Sequence, residues 1–262
     1  MILPRLSLPQ QKRLLHLGLF LAGPAVVLVL WDGIVRFGFL DARLFPLPGT
    51  IAARLVQDLA HSDLITVLGV TLGKTLLASA LAILPGWPLG LVLGARESLY
   101  RASQFLLDFF RAIPAVALFP LAMLILGLGA TPKVALAGFS GFLVVAFSVA
   151  YGTRHISSVR VLAARGMGAS AFQILRDVLF YESLPYAFTG LRLALSIALL
   201  VTVVTEMYTG GDGGLGQWIS DAQQNYDISK LYEGILCTGL LGYGLNGVVD
   251  ALRRAWAPWG SR

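Results

Sequence analysis

The amino-acid sequence predicts an all-α, polytopic membrane protein with six transmembrane helices, and three features predict it. Hydrophobic residues make up 56% of the 262 residues and charged residues 13%, with a mean hydropathy of +0.76. A soluble domain of this length carries about a quarter charged residues. The apolar residues fall into runs of ~20, the length that crosses a ~30 Å hydrocarbon core, and the chain has room for about six of them plus one sizeable loop. The 29 glycines suit a bundle in which transmembrane backbones approach closely.

The first span is expected at Leu14–Val35, behind the basic residues Arg5, Lys12 and Arg13. The run reaches Trp31 without a small-residue cleavage site, so it reads as an uncleaved span rather than a signal peptide. A polar stretch with Phe45-Pro-Leu-Pro48 follows to about Thr66 and suggests an extended segment and a short surface helix. The second span is expected at Val67–Leu93, bent by Pro85 and Pro88. The third, Phe105–Leu126, is interrupted by Pro114 and Pro120. Carbonyls freed in this way survive in a membrane only against protein or water. After a turn at residues 127–133, the fourth span covers Val134–Tyr151, and the polar loop Gly152–Gly190 follows. The fifth covers Leu191–Tyr208, and the glycine run at residues 210–216 cannot be regular helix. The last span is Leu231–Leu252, ending in a Trp256-Ala-Pro-Trp259 interfacial tail. These elements group as residues 1–66, a core at 67–254 containing the loop 152–190, and a tail at 255–262.

Charge sets the expected orientation. With the N-terminus inside, the inner segments hold most of the arginines, among them Arg96, Arg154, Arg160, Arg165, Arg176, Arg253 and Arg254. The outer segments hold Arg36, Arg43, Arg54, Lys74, Lys133 and Lys230. Both termini and the loop 152–190 are therefore expected in the cytoplasm. The net charge of +6 is this membrane-flanking bias and not a nucleic-acid surface, because no soluble basic face exists. The single Cys237 excludes an intrachain disulfide and a cysteine cluster for metal.

Within the loop, Leu162-Ala-Ala-Arg-Gly-Met-Gly168, followed by Leu184-Pro185, resembles the E-A-A-x-x-x-G and later L-P pattern of bacterial ABC importer permeases. Leu162 stands where the pattern has Glu, and Phe180-Tyr181 where Leu-Pro is common. Pro185 is expected to end a helix and re-aim the chain into the fifth span. Phe110-Arg-Ala-Ile-Pro114, Leu118-Phe-Pro120, Gly127-Leu-Gly129, Thr189-Gly-Leu-Arg192, Thr205-Glu206 and Gly214-Leu-Gly216 resemble the nitrate/sulfonate/taurine branch of these permeases, so that the likeness covers about Phe45 to Arg254. The resemblance implies the type I importer permease fold and a homodimer in a bacterial inner membrane. It implies two ABC ATPase subunits on the cytoplasmic face and a substrate-binding protein on the other. Cargo would be a small anion such as nitrate, bicarbonate, a sulfonate or a carboxylate. No Walker A pattern is present, so ATP and Mg would be bound by the partner ATPase, and the chain itself carries no cofactor and is no enzyme.

Ala163, Ala164, Gly168, Ala169, Ser170 and Phe172 are the residues expected to couple the loop to the ATPase, through a small-residue face that enters a groove. Lys74, Arg111, Pro114, Pro120 and Glu206 are pathway or gate candidates. Glu206 must face the bundle, pair with a cation or sit at the interface, because a lipid-facing carboxylate is costly. For Lys74, snorkelling to the headgroups is favoured over attraction of an anion. Arg111 either lines an inner vestibule or pairs with Asp108 at i, i+3. A secondary carrier or channel would show coupling carboxylates in mid-membrane, which the spans lack. Gly138-Phe-Ser140-Gly141 resembles an intramembrane serine protease motif, but none of His16, His61 and His155 falls in the fifth or sixth span to serve as base.

Overall fold

The computed structural model describes the backbone of residues 8–209 and 211–261 and the side chains between residues 22 and 259. Arg5, Gly210 and Arg262, and the side chains of Lys12, Arg13 and His16, on which parts of the sequence reading fall, lie outside that description. Every regular element among the described residues is helical. They are α1 (Leu8–Arg36), α2 (Pro48–His61), α3 (Leu64–Ala95), α4 (Glu97–Ala112), a 3-10 turn (Ala115–Leu118) and α5 (Phe119–Leu126). Then come α6 (Ala130–Arg154), α7 (Ser158–Gly166), α8 (Ala171–Thr209), α9 (Leu215–Gln224) and α10 (Ile228–Trp256).

Among the described residues, α3, α6, α8 and α10 are long and apolar enough to cross a membrane, and the pair α4–α5, bent by 83°, makes a fifth candidate. The expected first span falls on α1. The break in the third span lies at Ile113-Pro114, whereas Pro120 is tolerated in the first turn of α5, where no helical partner for its N–H is needed.

Several boundaries differ from the sequence reading. α4 begins at Glu97 rather than Phe105, and α9 takes Leu215 and Gly216 of the glycine run into its first turn. α6 begins at Ala130 rather than Val134, which brings Pro132 and Lys133 into its first turn. The expectation that Pro185 ends a helix and re-aims the chain is corrected: Pro185 lies inside α8, which runs unbroken from Ala171 to Thr209 and holds one π-helical stretch at Ile174–Leu179. The reason is a buried stripe through Ser183, Leu184, Ala187, Gly190, Ala194, Leu195 and Ala198, continuous at helical spacing. Burial along that stripe offsets the ~3 kcal/mol that a proline costs inside a helix. Likewise Pro85 and Pro88 sit on an exposed face of a continuous α3.

The chain forms two compact units, residues 63–221 with 234–262 and residues 1–62 with 222–233. In the larger unit, α3, α6 and α8 pack into the central core. Gly86, Gly90 and Gly94 repeat every fourth residue on α3, and a Cβ on each would come within 3.0, 2.7 and 2.5 Å of Val145, Val149 and Thr153 on α6. Only glycine permits this approach along the whole contact, which is the small-residue packing that membrane helices use. In the smaller unit, Arg54 on α2 pairs with Asp58 at 2.7 Å and Asp227 at 3.4 Å, and Trp31 packs against Tyr232 with centroids 5.5 Å apart.

Candidate functional site

Two regions at opposite ends of the α3–α6–α8 bundle, and a third at the broken span, carry the candidate residues. The first is built where α8 ends in the glycine-rich loop. Glu206 is 1% exposed and accepts hydrogen bonds from Lys74 Nζ at 3.0 Å, Thr71 Oγ1 at 2.9 Å and Gly216 N at 3.0 Å. The Thr71 hydroxyl in turn accepts from Leu215 N at 2.8 Å, and Lys74 Nζ also donates to the Gly213 carbonyl at 3.2 Å. Asp212 lies 2.7 Å from Lys133 Nζ and 3.8 Å from Lys74 Nζ. Two lysines and two carboxylates thus balance inside a site where Lys133 is 1% and Lys74 8% exposed. Desolvating these charges is costly, and the dense hydrogen bonding offsets it.

The network ties the loop to three helices. A Cβ at Gly216 would lie 2.0 Å from the Val203 carbonyl and 2.5 Å from Glu206 Cβ, so the loop backbone presses directly on α8. The favoured reading of Lys74 is therefore corrected: it does not snorkel, because the buried Glu206 holds it inward. Glu206 faces the bundle and pairs with a cation, as the cost of a lipid-facing carboxylate requires. Sequence reasoning missed Thr71, Lys133 and Asp212. Lys133 looked like a flanking charge beside a span, and the signal that identifies it is the lone acid Asp212 within the glycine run.

The second region is the α7–α8 turn. α7 ends in Gly168 at φ +85, with Ala169 N bonded to Ala164 O at 3.0 Å and Gly168 N to Arg165 O at 2.9 Å. This is the Schellman pattern, which needs a left-handed residue at that position. Ser170 then caps α8: its hydroxyl accepts from Gln173 N, and the Gln173 side chain accepts from Ser170 N at 2.7 Å. The small residues are thus explained in part by turn geometry. Of the six candidate coupling residues, Ala163, Gly168, Ser170 and Phe172 are exposed, Ala169 is half-buried, and Ala164 is buried in the core with Ile174, Leu179, Leu91 and Val149. Bulky apolar side chains share the exposed surface: Leu162, Met167 and Phe172.

The third region is the broken span. Arg111, two residues before Ile113-Pro114, lies 3.8 Å from Asp108 and stacks over the Phe147 ring at 4.1 Å. It also borders a cavity formed with α6 and α8, and of the sequence alternatives the structure gives the proximity to Asp108. The Ser140 hydroxyl donates to the Leu136 carbonyl of its own helix at 2.8 Å, an ordinary helical back-bond.

The sequence profile described as "Binding-protein-dependent transport system inner membrane component" matches residues 86–259, which include the second and third regions and most of the first. The taurine transport system permease protein TauC of Escherichia coli (strain K12) is 27% identical over 240 residues, covering 90% of this chain and 87% of the relative. The nitrate import permease protein NrtB of Leptolyngbya laminosa is 25% identical over 191 residues, covering 73% and 68%. Among solved structures, an inward-facing conformation of the MetNI methionine ABC transporter superposes with a TM-score of 0.66 at 23% identity, over 74% of this chain and 96% of that one. That likeness is one of fold.

Proposed function

Since the chain belongs to the family of binding-protein-dependent transport system inner membrane components, we propose that it is the membrane-spanning permease subunit of an ATP-driven importer for a small anion. The observation that carries this reading is the profile match across residues 86–259, which takes in the α7–α8 turn. The names of the relatives, which include taurine, nitrate and bicarbonate permeases, support an anionic cargo. Two copies of the chain form the pathway between them. An extracytoplasmic binding protein delivers the cargo. Two ATPase subunits bind ATP and Mg and dock on the α7–α8 turn, for which the arginine count favours the cytoplasmic side.

The geometry suits the coupling role. The α7–α8 turn is not a loose appendage, because Ala164, Ile174 and Leu179 are packed with Leu91 of α3 and Val149 of α6. A push on the turn is delivered to the spans as a body. At the other end, the Glu206 network fixes the glycine-rich loop to α3, α6 and α8, so that the outer mouth moves with those helices. Gating is then a rearrangement between the two copies and not a loosening within one.

The test is reconstitution with the ATPase, with and without the binding protein and candidate anions. ATP-dependent uptake and binding-protein-stimulated hydrolysis are expected. Uptake by this chain alone, driven by an ion gradient, would instead make it a carrier. Orientation is checked in a Cys237→Ala background with single cysteines at Ser170 and Gln223. Gln223→Cys is expected to react with an impermeant reagent on intact cells, and Ser170→Cys only after permeabilisation.

A further inference from the structure

We propose that the cavity between the α4–α5 break, α6 and α8 is a binding site within the permease for an organic anion with an apolar body. Arg111 takes the acidic head group and the aromatic wall takes the rest. The proposal rests on the importer reading and narrows its cargo class.

The cavity measures about 430 Å³, within the ~300–1,000 Å³ range of small-molecule sites. Phe110, Pro114, Phe139, Leu143 and Leu200 give it an apolar wall, with the Phe110 and Phe139 rings edge to face at 6.1 Å. Its polar side chains are Arg111 and Ser140. Ser140 lies near the middle of α6, so the cavity reaches mid-span. The Arg111 guanidinium stacks on Phe147, seven residues before Arg154 at the end of α6, which is ~10 Å at 1.5 Å per residue. A charge that far into a span demands a counter-charge, water or a ligand.

Arg111 differs from the other charges in the spans. Lys74, Lys133 and Glu206 are buried and hydrogen-bonded within the chain. Arg111 is 37% exposed on its side chain, and Asp108 stands 3.8 Å off, beyond hydrogen-bond reach. Among the described residues no group accepts a hydrogen bond from it. The cation–π stack fixes the plane of the guanidinium, and Arg111 lines the cavity. A planar fork of this kind suits the paired oxygens of a carboxylate or sulfonate. The wall excludes a fully hydrated inorganic ion, which would lose water against Phe110, Phe139 and Leu143 with no apolar surface to bury. The shared chemistry of an organic anion and an anionic lipid head group is separated by the test. The volume, at the small end of the range, favours the cargo.

The experiment uses the permease–ATPase complex in lipid nanodiscs, with Cys237→Ala and Ser140→Cys. The rate of modification by an anionic sulfonatoethyl methanethiosulfonate is compared with that of the cationic trimethylammonium reagent. The anionic reagent is expected to react at least tenfold faster. Arg111→Gln should abolish the preference and Arg111→Lys should restore part of it. Hexanesulfonate and benzoate should slow the reaction, and nitrate at equal concentration should not. Equal rates for the two reagents, or equal protection by nitrate, would overturn the proposal. So would protection that requires phosphatidylglycerol and is absent in phosphatidylcholine discs, which would make this a lipid site. If Arg111→Gln fails to assemble, Leu143→Trp serves instead: by filling the cavity it should slow modification of the Ser140→Cys thiol and remove protection, and an unchanged rate overturns the site. Expected labelling without ATP-driven uptake would overturn the importer reading alone. Uptake with labelling indifferent to Arg111 would overturn this site alone.

Discussion

At the end of the bundle that carries the glycine-rich loop, Lys74, Lys133, Glu206 and Asp212 are withdrawn from water and balanced against one another. At the end that carries α7, charges stay at the surface: Arg160 and Arg176 are 56% and 67% exposed and pair with Glu182 and Asp177. Arg165 has no ion pair among the described residues. Between these charges stand Leu162, Met167 and Phe172, at 61%, 81% and 68% exposure. Bulky apolar groups among surface charges suit the protein contact proposed above. One end is complete within a single chain. The other, in the proposed function, is completed by the ATPase. This asymmetry is what a coupling device requires, with a rigid body at one end and an adhesive, geometrically fixed turn at the other.

The largest expected effect comes from breaking the closed end. Glu206→Leu leaves two buried lysines facing Asp212 alone, and removing one partner of a buried pair costs about 3–5 kcal/mol. Thermal unfolding of the detergent-solubilised protein should show the loss, together with low recovery from membranes. The double variant Glu206→Leu with Lys74→Met should recover much of it, because an apolar pair can replace a buried ion pair at little net cost. If the single variant melts with the wild type, the network does not clamp the loop.

Effects at the open end should spare folding and strike assembly. Gly168→Arg places a non-glycine residue at φ +85, a local strain of about 1–2 kcal/mol, and puts a long cation on the docking turn. Association with the ATPase should weaken by about tenfold, ~1.4 kcal/mol, in a pull-down titration. Gly168→Asn separates the two causes, since Asn tolerates this conformation. If the Asn variant binds as weakly as the Arg variant does, side-chain bulk is not the issue. Smaller still is Ser170→Ala, which removes the cap of α8 and should cost about 1 kcal/mol, visible as faster hydrogen exchange of residues 171–179 with the rest of α8 unchanged.

The closed and open ends also differed in how far the sequence could be read. The open end was legible as a motif because the spacing of Ala163, Ala164, Gly168 and Leu184-Pro185 is local, while the turn at Gly168 and the Ser170–Gln173 cap came only from the structure. What that reading could not resolve was direction, since it counted Ala164 with the docking face and the fold turns it into the core. The closed end depends on residues far apart, with Lys133 and Asp212 79 positions distant and Lys74 and Glu206 132. A lysine near a span end looks the same in sequence whether it snorkels or pairs, and only packing decides. Pro185 misled for a related reason. Its local cost was plain, while the buried stripe that outweighs it emerges only over several helical turns.

The smallest expected effect on the stability of the permease itself tests the departure at Leu162. A glutamate there would lie at i, i+3 from Arg165, an exposed helical pair worth about 0.2–0.5 kcal/mol, so Leu162→Glu should leave the melting temperature of the permease unmoved. Its consequence should fall on the partner. With Met167 and Phe172 exposed on the same turn, the proposed docking gives Leu162 an apolar contact, and a carboxylate introduced there must be desolvated on docking. Recovery of the ATPase in co-purification should drop several-fold, while ATP hydrolysis per transported anion in the assembled fraction stays close to wild type. A higher linked fraction of hydrolysis with full assembly would mean that the partner retains a basic site for a glutamate at this position. No change in either quantity would place residue 162 outside the docking face and leave Met167 and Phe172 to account for it.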